Sequence, residues 1–447
     1  MVRIHARRLR QALDFYYRTD GLEDPIFITI PLGRYVPVFE ERNSAIQLIQ
    51  NKPTKPQSEM DLLPVIAIMP FNKIQSDIRL EVICSILRMD LSAELSRFQE
   101  LAVITNYSVE VAFLKSDNMN ELAAELGLDF LLTGTCDLQG EVLKLTMKLI
   151  DIKRNQIVWE EVFFISDHDQ REMKFYQAII QKVLGQVGGF FGAVYRNKLE
   201  NIPAPVDYSQ LYAVYWFNNY HLNFSQQAFH EVLTAVETGL RENPKNGLLT
   251  AFYGELYLNL LVMDVKGEAE SNLKKGTQLA MRSIELDPLN QHAYQVLAWS
   301  DLLRHDKPGF IKSAEKCLSI NPNNAMYIGQ MGFAYICAGE YERGMDLLLQ
   351  SLERNPFYPW NLNVGFILYY LVKKDFQEAV FWANKINRPF LYWDPLFRTA
   401  IYGLLKDVQR AEESKKELLA LNPEFSLRSK QIVNTFILDG KAQCPAA

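Results

Sequence analysis

Arg3, Arg7, Arg8 and Arg10 crowd the first ten residues of the chain, and Arg34 follows the dipeptide Leu32-Gly33. Guanidinium groups at that density suit phosphate, because each presents a planar fork of donors that stays charged at any working pH. In residues 1–20 five Arg against Asp14 and Asp20 leave +3, whereas the whole chain, with Lys+Arg 47 against Asp+Glu 53, carries −6. The basic character is local, so no global attraction to nucleic acid or an anionic membrane is expected. Other chemistry is scarce. GxxxxGK[ST], HExxH and GxSxG are absent, and the run GQVGG from Gly185 falls inside a helical pattern instead of following a strand. The six His show no paired ligand spacing, and SDHDQ (Ser166 to Gln170) reads as a helix N-cap. Five Cys without CxxC spacing argue against a disulfide framework or a zinc knuckle and for a reducing compartment, and Cys317 and Cys337 are expected to be inert helix residues. The sequence predicts no catalytic residue, no metal and no cofactor.

The arginines must be positioned by the elements around them. Val2 to Tyr17 is helical by spacing, with Ile4, Leu9, Leu13 and Tyr16 on one face and arginines over the rest. Asp24 to Phe39 gives two extended runs joined at Pro31-Leu32-Gly33, a hairpin tipped by Arg34. Residues 1–40 are thus a basic helix plus hairpin, and residues 41–62, with Pro53 and Pro56, a linker. Val2, Ile4, His5, Arg8, Leu9, Arg10, Leu13, Gly33 and Tyr35 resemble the recognition helix and wing of the OmpR-type winged-helix DNA-binding domain. That resemblance implies that Arg3, Arg7 and Arg8 meet phosphates or base edges in the major groove and that Arg34 enters the minor groove or touches backbone. The helices that precede the recognition helix in that family do not stand before Met1, and an upstream start would supply them. The alternative is that helix and hairpin pack against the rest of the chain.

Residues 63–200 read as a small α/β domain. VIAIM (Val65 to Met69) and LAVIT (Leu101 to Thr105) are buried-strand runs, and a long helix is expected between them from Ile78 to Phe98. A short helix ends at Gly127, and DFLLTGTCDL then turns at Gln139-Gly140. Leu143, Leu145, Met147 and Leu149 alternate with polar residues, IVWEEVFFI is a further strand, and one long helix spans Asp169 to Arg196. The order β-α-β-α-β-β-β-α suggests a mixed sheet with helices on one face. IAIMPF, LSRFQELAVIT, ELGLDFLLTGT and KLIDIKRNQIVWEE, in that order, resemble the TolB amino-terminal-like domain. The resemblance implies a bacterial binding or scaffolding module without catalytic residues.

Beyond residue 207 the signal is periodic. Pro244, Pro288, Pro322, Pro356, Pro389 and Pro423 close helical patterns at intervals of 44, 34, 34, 33 and 34 residues, and a proline just past a helix ends it. Gly332, Tyr335, Gly344 and Pro356 fall on signature positions of the 34-residue tetratricopeptide repeat (TPR). Gly332 is expected to let two helices approach closely, and Tyr335 to fill the space between units. The first interval is ten residues too long, and the charged loop near Met263 is expected to hold the excess. About six helical hairpins are predicted over 207–426, with a C-terminal tail over 427–447. The fold class is α+β, a small α/β domain followed by an all-α superhelix. By resemblance to the TPR family, the groove is lined by Trp299, Leu302, Phe333, Ile336, Leu362, Phe366, Tyr369 and Trp393. This apolar list suits a peptide segment or partner helix; the alternative is that these residues pack between hairpins.

The expected function is a non-enzymatic bacterial scaffold that binds a protein partner through the TPR groove. Its alternative is a DNA-binding transcription regulator with a TPR sensor region. A weaker alternative, an accessory protein of an adenylate cyclase system, rests on domain association only. No apolar signal region follows the N-terminus, and the longest apolar run, from Gly247, is broken by Glu255 and Asn259. A cytoplasmic protein without a membrane partner is expected.

Overall fold

A computed structural model of the chain describes residues 24, 26–29, 37–41, 63–115, 119–166, 169, 173–200, 210–263, 268–388 and 391–436. Its contacts divide into two compact units, Met1–Asp61 and Leu62–Ala447. In the first, β1 (Ile26–Thr29) and β2 (Val38–Glu41) pair antiparallel, with Ile26 opposite Glu41 and Thr29 opposite Val38. The helix expected over Val2 to Tyr17 and the linker over 42–62 lie outside the described residues.

The second unit begins with a mixed sheet. Its strands are β3 (Val65–Ile68), β4 (Asn72–Lys73), β5 (Ala102–Val103), β6 (Phe130–Gln139), β7 (Val142–Asp151) and β8 (Gln156–Ile165). The order is β5-β3-β6-β7-β8, with β4 also pairing β6; β3 is parallel to both neighbours, and β6, β7 and β8 form an antiparallel meander. Leu143, Leu145, Met147 and Leu149 of β7 are all fully buried, so the alternation in the sequence marks the core face. Helices cover both faces of the parallel half, which corrects the one-face expectation. Ile66, Ile68, Phe130 and Leu132 pack toward α1 (Ile78–Leu95) and α4 (Met173–Val187). Ala67, Met69 and Leu131 instead meet Val109 of α2 (Asn106–Lys115) and Leu122 of α3 (Met119–Leu126). The physical reason was in the run IAIM: a strand apolar at consecutive positions is covered twice. The single helix expected over Asp169 to Arg196 is also two, α4 and α5 (Ala193–Glu200), broken where Gly189 takes φ +74°.

Six antiparallel hairpins follow among the described residues: α6 (Gln210–Asn223) with α7 (Gln226–Glu242), α8 (Gly247–Val262) with α9 (Ala269–Leu286), α10 (Gln291–Leu303) with α11 (Lys307–Ile320), α12 (Ala325–Cys337) with α13 (Tyr341–Arg354), α14 (Leu362–Lys373) with α15 (Phe376–Asn384), and α16 (Trp393–Leu404) with α17 (Val408–Leu421). Pro244, Pro288, Pro322, Pro356 and Pro423 stand in the turns between hairpins, and Pro389 lies outside the described residues. The same turns start the next helix: Asn246, Asn290 and Asn324 each accept a backbone N–H of the first turn that follows. The long first interval is mostly helix, since α8 and α9 have 16 and 18 residues against 13 and 14 in α12 and α13. Residues 427–436, expected as tail, continue α18 (Phe425–Phe436). Neither glycine nor proline interrupts that run, and Phe425 is buried beside Tyr392. Among the described residues no helix is long and apolar enough to cross a membrane.

The closeness of α12 and α13 depends on two glycines. A Cβ on Gly332 would lie 2.9 Å from both the Gly344 carbonyl oxygen and the Leu348 nitrogen, backbone atoms that cannot rotate away. Gly332→Ala should therefore push the helices apart and destabilise the chain by about 1–3 kcal/mol, read as a lower urea midpoint. Tyr335, three residues on, is fully buried and meets the Phe310 ring of the previous hairpin at 4.9 Å.

Candidate functional site

The first helices of the hairpins surround a chamber of about 170 Å³. Side chains spaced three and four apart face it: Gln330, Phe333 and Cys337 on α12, and Val296, Trp299 and Leu303 on α10. The array closes around this space. Tyr392 Oη and Trp393 Nε1, at the start of the sixth hairpin, donate to the Val262 carbonyl at 3.3 and 3.1 Å. Arg388 Nη2 donates to the Leu222 carbonyl at 2.5 Å, and Trp360 meets Phe224 edge-on at 5.3 Å. Phe436, at the end of α18, lines the chamber and lies 5.4 Å from the Trp393 ring. The wall is therefore mostly aromatic and aliphatic, and the second and sixth hairpins are joined across it.

One end of the chamber is polar. Glu255 of α8 is buried, with His221 Nε2 2.9 Å from its Oε1 and His292 Nε2 2.9 Å from its Oε2. Gln295 Nε2 donates to Oε2 at 3.2 Å, and the Tyr327 hydroxyl lies 3.3 Å from His292 Nδ1. Burial by itself would raise the Glu255 pKa; the two imidazoles, His221 foremost, outweigh it and hold the carboxyl well below the ordinary carboxylate range. Rings fix the imidazoles: Phe217 and Phe252 stack at 3.8 Å, and each meets His292 edge-on, at 5.2 and 4.9 Å. Both carboxylate oxygens are thus engaged inside the protein. Gln295 Oε1 and Asn259 Nδ2, by contrast, are buried atoms of chamber-lining residues without a hydrogen-bond partner. Among the described residues no group of three or more His, Cys, Asp or Glu is arranged to hold a metal ion.

Of the eight residues expected in the groove, Trp299, Phe333 and Trp393 line the chamber, and the first two meet at 5.0 Å. Leu302, Ile336, Leu362 and Phe366 do not; each is 0% exposed and belongs to the core. Phe366 stacks on Trp382 of α15 at 3.9 Å, as a residue on the hairpin-facing side of its helix must. Tyr369 turns toward α13, where its hydroxyl donates to Glu342 Oε2 at 3.2 Å. Each of the five misplaced residues stands one or two positions from a chamber-lining residue of its helix or cap, and that offset turns its side chain from the bore to another face. His221, Glu255 and His292 were missed, although Glu255 and Asn259 break the longest apolar run and so marked where polar groups are buried. Arg3, Arg7, Arg8 and Arg34 lie outside the described residues.

Comparison with known proteins bears on the other half of the second unit. Residues 62–182 match the HilA/YgeH-like transcriptional regulator, second domain. The chain thus carries a HilA/YgeH-like domain followed by a TPR-like helical array. No curated protein matches it. Among solved structures it is similar to YrrB, described as a TPR protein with an unusual peptide-binding site, at 14% identity over 44% of this chain and 98% of that one, TM-score 0.28. It is similar to PilW, a type IV pilus biogenesis factor, at 18% identity over 49% and 98%, TM-score 0.33. TolB from Acinetobacter baumannii shares 21% identity over 29% of this chain and 30% of that one, TM-score 0.20. At TM-scores this low none of the three says anything of what this chain binds.

The HilA/YgeH-like domain is fastened to the array. Asn323 Nδ2 donates to Glu94 Oε2 at 2.8 Å, and Asn324 Nδ2 to Glu100 Oε1 at 3.2 Å, both across to the segment that follows α1 or ends it. Asn355 Nδ2 donates to the Phe191 carbonyl at 3.3 Å. Gly185 lies so near Arg354 that an added Cβ would stand 2.8 Å from its carbonyl oxygen. From the turn between α4 and α5, Phe190 meets Phe252 at 5.6 Å and Phe191 meets His221 at 6.4 Å. The turn that follows α4, just beyond the matched residues 62–182, therefore touches Phe252 and His221 at the polar end of the chamber.

Proposed function

We propose that this chain is a bacterial, cytoplasmic, non-enzymatic transcription regulator in which residues 1–40 contact DNA and the TPR-like array is the sensor region. The observation that carries this reading is the match of residues 62–182 to the HilA/YgeH-like regulator domain. The basic first twenty residues and their resemblance to a recognition helix support it. Hydrogen bonds from Asn323 to Glu94 and from Asn324 to Glu100 give the sensor a physical link to that domain. The scaffold reading stands second, because the bore of the array is tied shut between its second and sixth hairpins.

The test is fluorescence anisotropy of the whole chain on duplex DNA over a salt series. Replacing Arg3, Arg7, Arg8 and Arg34 by alanine should weaken binding at every salt and lessen the slope of log K against log salt by about one per lost phosphate contact. Binding that the four substitutions leave unchanged, or no binding by the intact chain, would refute the DNA contact.

A further inference from the structure

We propose that Cys84 and Cys136 form a redox-modification site, at which a peroxide oxidises the two thiols to a disulfide that cross-links α1 to β6. The two sulfurs come from positions 52 residues apart in sequence and lie 2.6 Å apart inside the HilA/YgeH-like domain. Carbon atoms in ordinary contact keep ~3.5–4.0 Å. A disulfide spans ~2.05 Å, so about half an ångström separates this contact from a bond. The helix and the strand are held on either side of the pair. One turn before Cys84, Glu81 pairs with Lys73 at 3.1 Å, and Lys73 stands opposite Cys136 where β4 meets β6. One turn after Cys84, Arg88 donates to the Ile68 carbonyl of β3 at 3.1 Å. The sulfurs therefore stay within bonding reach as long as α1 rests on the sheet.

The two thiols take different parts. The hydrogen-bonding contact with Cys136 and the nearby Lys73 ammonium outweigh burial and hold the Cys84 thiol below its ordinary pKa. The same contact, together with burial, pushes the Cys136 thiol up. Cys84 is thus the readier thiolate, which is the reacting form. Both side chains are buried, which excludes a bulky oxidant such as glutathione disulfide and favours a small one such as hydrogen peroxide. The Cys84 thiolate attacks one peroxide oxygen, the O–O bond breaks, and hydroxide leaves, giving a sulfenic acid. The Cys136 sulfur then attacks the Cys84 sulfur: the S–S bond forms, the S–O bond breaks, and hydroxide departs as water with the Cys136 proton. Two thiols and one hydrogen peroxide become one disulfide and two waters, with two electrons passing from sulfur to oxygen. The bond ties the helix whose last turn carries Glu94, the acceptor for Asn323 of the array, to a central strand of the sheet. Burial alone pushes the Cys317 and Cys337 thiols up, and neither competes.

This site does not depend on whether the chain contacts DNA. The experiment treats the whole chain with hydrogen peroxide, blocks the remaining thiols with N-ethylmaleimide under denaturing conditions, and maps tryptic peptides by mass spectrometry. Of the five thiols in the sequence, two should be lost together, in one linked peptide pair that joins Cys84 to Cys136 and that dithiothreitol separates. Cys136→Ala should stop at a Cys84 sulfenic acid that dimedone labels, and Cys84→Ala should leave Cys136 as a thiol. The linked pair is read from the unaltered chain, so the test holds even if neither variant folds. Alkylation of both Cys84 and Cys136 after peroxide, linkage of either to Cys444 instead, or dimedone on Cys136 in Cys84→Ala would overturn the proposal.

Discussion

Glu255→Ala should destabilise the chain by about 3–5 kcal/mol, the range found when one member of a buried charge cluster is removed and its partners are left behind. The partners here are His221 and His292, both buried, which would face a void with no acceptor. The effect is pH-dependent, and its sign follows from the direction of the shift. The folded-state pKa of Glu255 is depressed below the ordinary 4.5, so its ionised form stabilises the fold above that value, and the contribution is lost as pH falls below it. Urea denaturation of wild type and Glu255→Ala at pH 7 should show the full gap. The gap should shrink as the pH is lowered from 4.5. A gap that grows on acidification would mean the carboxyl is held protonated, and the account of the polar end would be wrong.

Glu100 should behave in the opposite sense. It is buried at the junction with Asn324 as its side-chain donor, and burial lifts its carboxyl from 4.5 to about 7. A raised folded-state pKa means that the protonated form is preferred in the fold. The favourable contribution is fully present below pH 4.5 and is lost as pH rises through about 7. At ~1.4 kcal/mol per unit this amounts to about 3 kcal/mol. Glu100→Gln keeps an amide oxygen to accept from Asn324 and cannot ionise. The stability difference between Glu100→Gln and wild type should therefore move in favour of the variant by about 3 kcal/mol between pH 4.5 and pH 8. Thermal or urea melts of the two proteins at both pH values measure it, and a difference independent of pH would place the titration elsewhere.

These two carboxylates illustrate what sequence could and could not disclose. The hairpins were legible because their punctuation is local: a proline ends one helix, and an Asn a few residues on caps the next, as at Pro322 and Asn324. Most of the sheet was legible because β7 alternates with period two. The faces were harder. IAIM is apolar at consecutive positions, which marks burial without naming the two layers that cover it, and Phe366 faces Trp382 instead of the bore. The site itself joins residues far apart in sequence, His221 with Glu255 and His292, and Val262 with Trp393. No periodicity carries that information, because such contacts depend on how far each hairpin rotates against the last. Glu255 and Asn259, polar residues within an apolar helix, are the local signs of it.

An open stack of helical hairpins is nearly one-dimensional, each unit answering only to its neighbours, so evolution can lengthen it by copying a unit. The bonds from Tyr392 and Trp393 to Val262 remove that freedom here. A seventh hairpin inserted in the middle would carry those two rings past their acceptor and leave a carbonyl unpaired at each attempt to close. The number of units is thereby fixed as a count of staves is fixed in a barrel, and unfolding at either end of the array must be felt at the other.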